Sequence, residues 1–283
     1  MLNYYLIILE PSLSQGIAMQ RLLRFFAMGL CAAVISTSSA AEGGTDANNK
    51  VWRVGCDAAF APFTFTDSKG KLIGFDVDLI RAMGKSQGVE VSIKSYPFDS
   101  IIPTLITDNI DLIISGFTIT HERAERVDFS DPYYRCGLTF LTLTENADKY
   151  KTLEDLKDAE ICVQLGTSGA VFLEKAMPNA KIKRFNSPPE TYLELIGKGC
   201  AAVLNDRPVN DYFMVTSGRK DIVSRSITTD DSEYYGIAMR KGDKQMVDLV
   251  NKALKDVQEN GEFERISKKW FGYDVSAELK EGK

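Results

Sequence analysis

The sequence predicts an α/β protein of two lobes, each a mixed, mostly parallel sheet flanked by helices, joined by a two-strand hinge. Three observations predict it. Short apolar runs alternate with amphipathic helical stretches, the order that layered parallel sheets require. The alternation breaks off and restarts near residue 139, so one unit follows another. With 283 residues, 44% of them hydrophobic, the chain also exceeds what one small core needs.

At the N-terminus, Arg21 and Arg24 precede an apolar run over 25–35 that ends in the small polar stretch 36–41. That order marks 1–41 as an export signal and the periplasm as the destination. The run is shorter than the roughly 20 residues of a membrane span. Glu10 and Pro11 suit a signal poorly, which leaves both Met1 and Met19 as starts. Cys31 follows Leu30 where lipoprotein processing takes a small residue, so a lipid anchor is disfavoured.

The first lobe is expected over 42–138. It opens with a strand at 51–55, and Phe75, Leu79 and Met83 then recur at helical spacing. A strand at 89–96, a helix at 98–107 and a buried central strand at 110–115 follow, the last despite Asp111. The second lobe, 139–235, carries strands at 160–165, 181–185 and 201–204 between helices at 168–176, 189–198 and 207–216. Residues 236–283 return to the first lobe, where Met246, Leu249, Val250, Ala253, Leu254 and Val257 form an apolar stripe that Phe263, Ile266 and Trp270 continue. Residues 137–144 and 233–240 are the expected crossings, and two strands side by side make a hinge.

Charged residues make up 26% and the net charge is −5, which excludes a basic nucleic-acid footprint and long disordered tails. Past the signal stand Cys56, Cys136, Cys162 and Cys200, without metal-ligand spacing. Two disulfides and four buried thiols both fit; Cys162 and Cys200 open strands that, as parallel neighbours, would bring them together.

Ligands of open α/β sheets lie beyond the carboxyl ends of the strands, near helix N-termini that favour anions. Those positions hold Asp57 and Phe60, then Phe98, then Ser115, Gly116, Thr118 and Arg123. In the second lobe they hold Gln164, Thr167 and Ser168, then Asn205 and Asp206. Plainer roles suit some of them: a surface ion pair for Arg123 between Glu122 and Glu125, a helix cap for Asp206, core packing for the two phenylalanines and a local turn for Asp57.

The stretches GCDAAFAPFTF (55–65), GFDVDLI (74–80), DLIISGFTITHERAERVDFSDPYY (111–134), VQLGTSG (163–169), AAVLNDRP (201–208), YGIAMRKGD (235–243) and KKWFG (268–272) resemble the bacterial solute-binding family for polar amino acids. That family includes the glutamine-, histidine- and lysine/arginine/ornithine-binding proteins, and the similarity runs from about Val51 to Tyr273. The resemblance implies the type II periplasmic-binding-protein fold and delivery of a free amino acid to the membrane permease of an ABC importer. It implies that Arg123 clamps the ligand's α-carboxylate, with backbone N–H groups at Thr118 and Ser168. Asp206, the Gly116 carbonyl and the Thr118 hydroxyl would take the α-ammonium, and Phe60 and Phe98 would be the cleft aromatics.

With Arg123 and Asp206 neutralising the zwitterion, Asp57 is left unmatched, which predicts a basic ligand, arginine or lysine before histidine. A lysine stands at the Gln164 position in the glutamine-binding relatives and would repel a cation; glutamine is nevertheless the runner-up, because its amide suits Asp57 and Gln164. No cofactor, metal or nucleic-acid partner is expected, and the protein should be monomeric. The rival class is an enzyme, since this fold also hosts periplasmic dehydratases of the cyclohexadienyl or arogenate type. The chain offers one histidine, His121, for such chemistry. A sensory domain is a third class, set aside because the chain stops soon after Trp270 and Phe271.

Overall fold

The computed structural model describes residues 51–227 and 233–280, so the expected signal, its Cys31 and both start residues lie outside it. From β1 (Val51–Cys56) the chain passes through three short strands, β2 (Ala59–Phe60), β3 (Thr64–Thr66) and β4 (Leu72–Ile73), into α1 (Phe75–Ser86). Asp76 and Asp78 stand in the first turn of α1, where the helix dipole favours them, and Phe75, Leu79, Ile80 and Met83 form its buried stripe. Next come β5 (Glu90–Ser95), α2 (Ile101–Ile106), β6 (Leu112–Ile113), α3 (His121–Ala124), β7 (Val127–Phe129) and β8 (Tyr134–Arg135). The middle of the chain forms β9 (Leu138–Leu143), β10 (Glu160–Gln164), α4 (Ser168–Ala176), β11 (Lys181–Phe185), α5 (Pro188–Ile196), β12 (Ala202–Asp206), α6 (Arg207–Ser217) and β13 (Ile222–Ser226). It ends with β14 (Tyr234–Tyr235), β15 (Ala238–Arg240), α7 (Lys244–Glu259), α8 (Glu262–Phe271) and α9 (Ser276–Lys280).

Two five-stranded mixed sheets result. The first has the order β5-β1-β6-β15-β7, parallel from β5 to β6, with β15 antiparallel to both neighbours. Leu79 and Met83 pack there with Val250, Leu254 and Phe263, so the C-terminal helices cover the sheet that the N-terminal strands begin. The second sheet, β11-β10-β12-β9-β13, is parallel from β11 to β12 and antiparallel beyond. Ile161, Val163, Leu173 and Leu204 lie in its separate core.

The crossing differs from expectation. Leu138–Leu143 is extended, but it lies between β12 and β13, and all six of its residues are buried. An apolar run of this kind is a strand covered on both faces rather than a connector. The residues that pair side by side are Tyr134 with Tyr235 and Arg135 with Tyr234; the second strand falls within the predicted 233–240, whereas the first begins three positions ahead of the predicted 137–144. The small β2-β3-β4 sheet and the strands β7 and β13 lack a readable alternation, being short or edge elements.

All four described cysteines are buried and free, so no disulfide joins them. Cys162 and Cys200 do come together in one buried cluster, because β10 and β12 are parallel neighbours. Asp111 is tolerated beside the central strand because Arg53 reaches it at 2.7 Å and Arg240 at 3.2 Å.

Candidate functional site

The carboxyl ends of β1 and β6 form one wall of the site. Asp57 follows β1, is buried, and accepts from the Ala59 backbone N–H at 3.1 Å. Burial pushes its carboxyl up from the ordinary value, against the opposing bonds from Gln164 and Ala59. Ser115 lies behind it, its hydroxyl accepting the Asp57 N–H at 2.9 Å. Gly116 adopts a φ of +52°, and a Cβ there would stand 2.5 Å from the Phe60 ring. Glycine thus permits both the turn and the close approach of the aromatic. Phe60 and Phe98 are buried and stack with ring centres 6.4 Å apart.

Arg123 is 8% exposed, which removes the surface ion-pair role. Its neighbours point elsewhere: Glu122 pairs with Lys175 and Glu125 with His121. Thr120 caps α3 by accepting the Arg123 N–H at 3.2 Å, which fixes the base of the side chain. The guanidinium lies 4.1 Å from the centre of the Phe117 ring and 5.4 Å from that of Phe98. It donates to the carbonyls of Thr118 at 2.9 Å and Gly166 at 3.1 Å. Burial lowers its pKa to about 10, so it stays charged at neutral pH.

The second sheet supplies the other wall. Thr167 caps α4 through the Ala170 N–H at 3.2 Å and donates to the Gln164 carbonyl at 2.9 Å; it shapes the turn. Ser168, at the start of α4, meets the Thr118 hydroxyl at 3.1 Å. Asn205 is buried and donates to the Tyr192 hydroxyl at 3.3 Å, within the second lobe. Asp206 occupies the N-cap position of α6 but makes no capping bond. Its carboxylate instead accepts from the Tyr235 hydroxyl at 2.5 Å. Burial raises its pKa to about 6, against the Tyr235 bond and the charge of Arg123.

The walls therefore meet through Asp57 with Gln164, Thr118 with Ser168, and Arg123 with Gly166. A cavity of about 520 Å³ opens beside these contacts, lined by Phe98, Phe117, Arg123, Gly166, Ser168 and Glu233 among others. Asp57, Phe60 and Asp206 do not line it; they are held in the contacts just described.

Gln164 is 2% exposed, and its amide nitrogen donates to Asp57 Oδ2 at 2.6 Å and to the Asn186 carbonyl at 3.0 Å. Two acceptors around the nitrogen fix the orientation of the amide. Its Oε1 is then buried with no donor, and such an acceptor costs free energy until a donor arrives.

Sequence reasoning missed Phe117, Gly166, Glu233, Tyr235 and Asp76. Asp76 is fully buried and its Oδ2 accepts the Gly116 N–H at 2.6 Å, so it anchors the turn behind Phe60. Its two-residue spacing from Asp78 reads only as a helix start, and tyrosine in a short strand carries no local signal. His121 lines the same cavity from its exposed edge, with its side chain 95% exposed and 3.6 Å from Glu125.

Comparison with known proteins bears on the family and the fold. The bacterial extracellular solute-binding proteins, family 3, match residues 52–273. A probable histidine-binding protein of Neisseria gonorrhoeae is 35% identical over 88% of this chain and 95% of its own length. An ancestral arginine-binding protein bound to arginine is 39% identical with a TM-score of 0.75, covering 78% of this chain and 98% of that one. An ancestral arginine-binding protein bound to glutamine is 39% identical with a TM-score of 0.74, covering 79% of this chain and 98% of that one. A match across nearly all of the described chain, on a two-sheet fold of the same kind, places this protein in the bacterial extracellular solute-binding family 3.

Proposed function

We propose that the protein captures a free basic L-amino acid between its two lobes and presents it to the membrane permease of an ABC importer. The single observation that carries the ligand class is the pair Asp57 and Gln164. Among the described residues the Asp57 carboxylate is bonded only by uncharged donors, and beside it the Gln164 Oε1 is buried with no donor. A guanidinium or ammonium supplies both the missing charge and the missing N–H groups. Phe60 and Phe98 suit the face or stem of such a group. Arg123 takes the α-carboxylate with its planar fork, and Asp206 takes the α-ammonium.

Because these groups are engaged with one another, ligand capture requires the lobes to part about Tyr134–Arg135 and Tyr234–Tyr235 and then to close. Residues 42–138 and 236–283 form the first lobe in this reading and 139–235 the second, with 1–41 directing export to the periplasm. A receptor is favoured over a dehydratase because His121, the one histidine, stands at the exposed edge of the cavity, where its side chain is 95% exposed and neighbours Glu125 rather than being held in the contacts between the walls. Calorimetric titration with arginine, lysine, histidine and glutamine tests the ligand class. Arginine or lysine should bind most tightly; tight glutamine binding without arginine binding would contradict it.

A further inference from the structure

We propose that Tyr235 is a positioning residue for the ligand's ammonium: its hydroxyl orients the Asp206 carboxylate and keeps it ionised, tying ammonium binding to the strand that joins the lobes. This rests on the reading of Asp206 given above.

Tyr235 is fully buried in β14, the return crossing. Tyr134 of the outgoing crossing stacks on it at 5.6 Å, with an interplanar angle of 20°, and Phe63 meets it edge-on at 5.0 Å. The ring is therefore fixed on two sides. Its backbone bridges that of Thr118, and the Gly236 N–H donates to the Phe117 carbonyl at 3.1 Å. Its hydroxyl crosses to the second sheet and ends on Asp206 Oδ2 at 2.5 Å. One side chain thus touches the Gly116–Thr118 turn, the crossing and the carboxylate at once.

Among the described residues Asp206 Oδ1 has no hydrogen-bond donor, so the bond to Oδ2 leaves one oxygen for the ligand. Among the described residues the titratable groups that interact with Asp206 are Arg123, Glu233, Cys136, Tyr192 and Tyr235. Arg123 alone is a cation, and Glu233, whose own pKa burial raises to about 7, adds a second acid. Removal of the tyrosine donor leaves a buried carboxylate with one fewer hydrogen bond, which favours its protonated form. A protonated Asp206 cannot pair an ammonium. Bound ammonium depresses the pKa of Asp206, so affinity is present above the ligand-free pKa and is lost as pH falls through it.

Tyr235→Phe keeps the ring and removes only the donor. The Asp206 carboxyl, followed by carbon NMR in the ligand-free protein, should titrate near the 6 given above in the parent and about one unit or more higher in the variant. The acid limb of arginine affinity should move up in pH by the same amount, so that for a one-unit shift affinity falls about tenfold well below the parent pKa and about twofold at pH 7. Asp206→Asn should remove that limb, and Glu233→Gln identifies any part of the profile that belongs to the second acid. An unchanged Asp206 titration in Tyr235→Phe overturns the proposal whatever the ligand proves to be. A moved titration with no amino-acid binding in the parent sinks the receptor reading instead and leaves the Tyr235–Asp206 coupling standing.

Discussion

At the scale of single residues, the charged groups of the proposed site are held by named partners, and Gln164 Oε1 is a buried acceptor with no donor. Arg123 cannot be replaced by a point charge, because its fork is held between two carbonyls and two rings. Arg123→Lys should weaken ligand binding by about 10- to 100-fold, the worth of a charge-assisted hydrogen bond, with little change in melting temperature. Asp57→Asn removes the unmatched charge while preserving shape. Arginine affinity should then fall by about tenfold or more while glutamine affinity stays nearly constant; equal losses for both would show that Asp57 does not select charge. The residues that a strand-end rule locates, Asp57, Gln164 and Asp206, are buried at the meeting of the two walls as expected. Tyr235 was not legible in the same way, since its role lies in a bond to a residue 29 positions away.

At the scale of elements, legibility followed locality. The helix predicted at 168–176 is Ser168–Ala176, because Thr167 caps it and its apolar spacing is its own. The strand predicted at 181–185 is Lys181–Phe185, likewise bounded by its neighbours in sequence. β9 was misread as a connector because burial on both faces erases the alternation that marks a strand, and its partners β12 and β13 lie far along the chain. Two element-level contacts set stability. Phe263 of α8 is 1% exposed and meets Phe75 of α1 edge-on at 5.8 Å, so Phe263→Ala should cost about 3–5 kcal/mol in denaturant unfolding. Asp111 ties β6 to β1 and β15: burial pushes its carboxyl up, but the bonds and charges of Arg53 and Arg240 outweigh burial and hold it below the ordinary value. A carboxyl depressed in the folded state stabilises above its unfolded pKa, and that stability is lost as pH falls through the folded pKa. Melting temperature should therefore decline between about pH 5 and about pH 3, and less steeply in Asp111→Asn than in the parent.

At the scale of the whole molecule, two independently cored sheets are joined by a pair of two-residue strands, so relative motion of the lobes concentrates there. A ligand held by both walls favours closure through its contacts to the second wall, of which Asp206 is the charged one. Small-angle scattering should show contraction on adding saturating arginine, and Asp206→Ala should abolish it. The two-lobed plan was legible from alternation and length, and β14 falls within the predicted return crossing, whereas the outgoing crossing was misplaced because β8 is too short to carry a pattern. The central claim is that one guanidinium and one carboxylate grip the two ends of a free amino acid. Its most direct test is calorimetric titration with arginine, arginine amide and Nα-acetylarginine. Arginine alone should bind tightly, since each derivative deletes the charge that Arg123 or Asp206 pairs; comparable affinity for either blocked form would contradict the account.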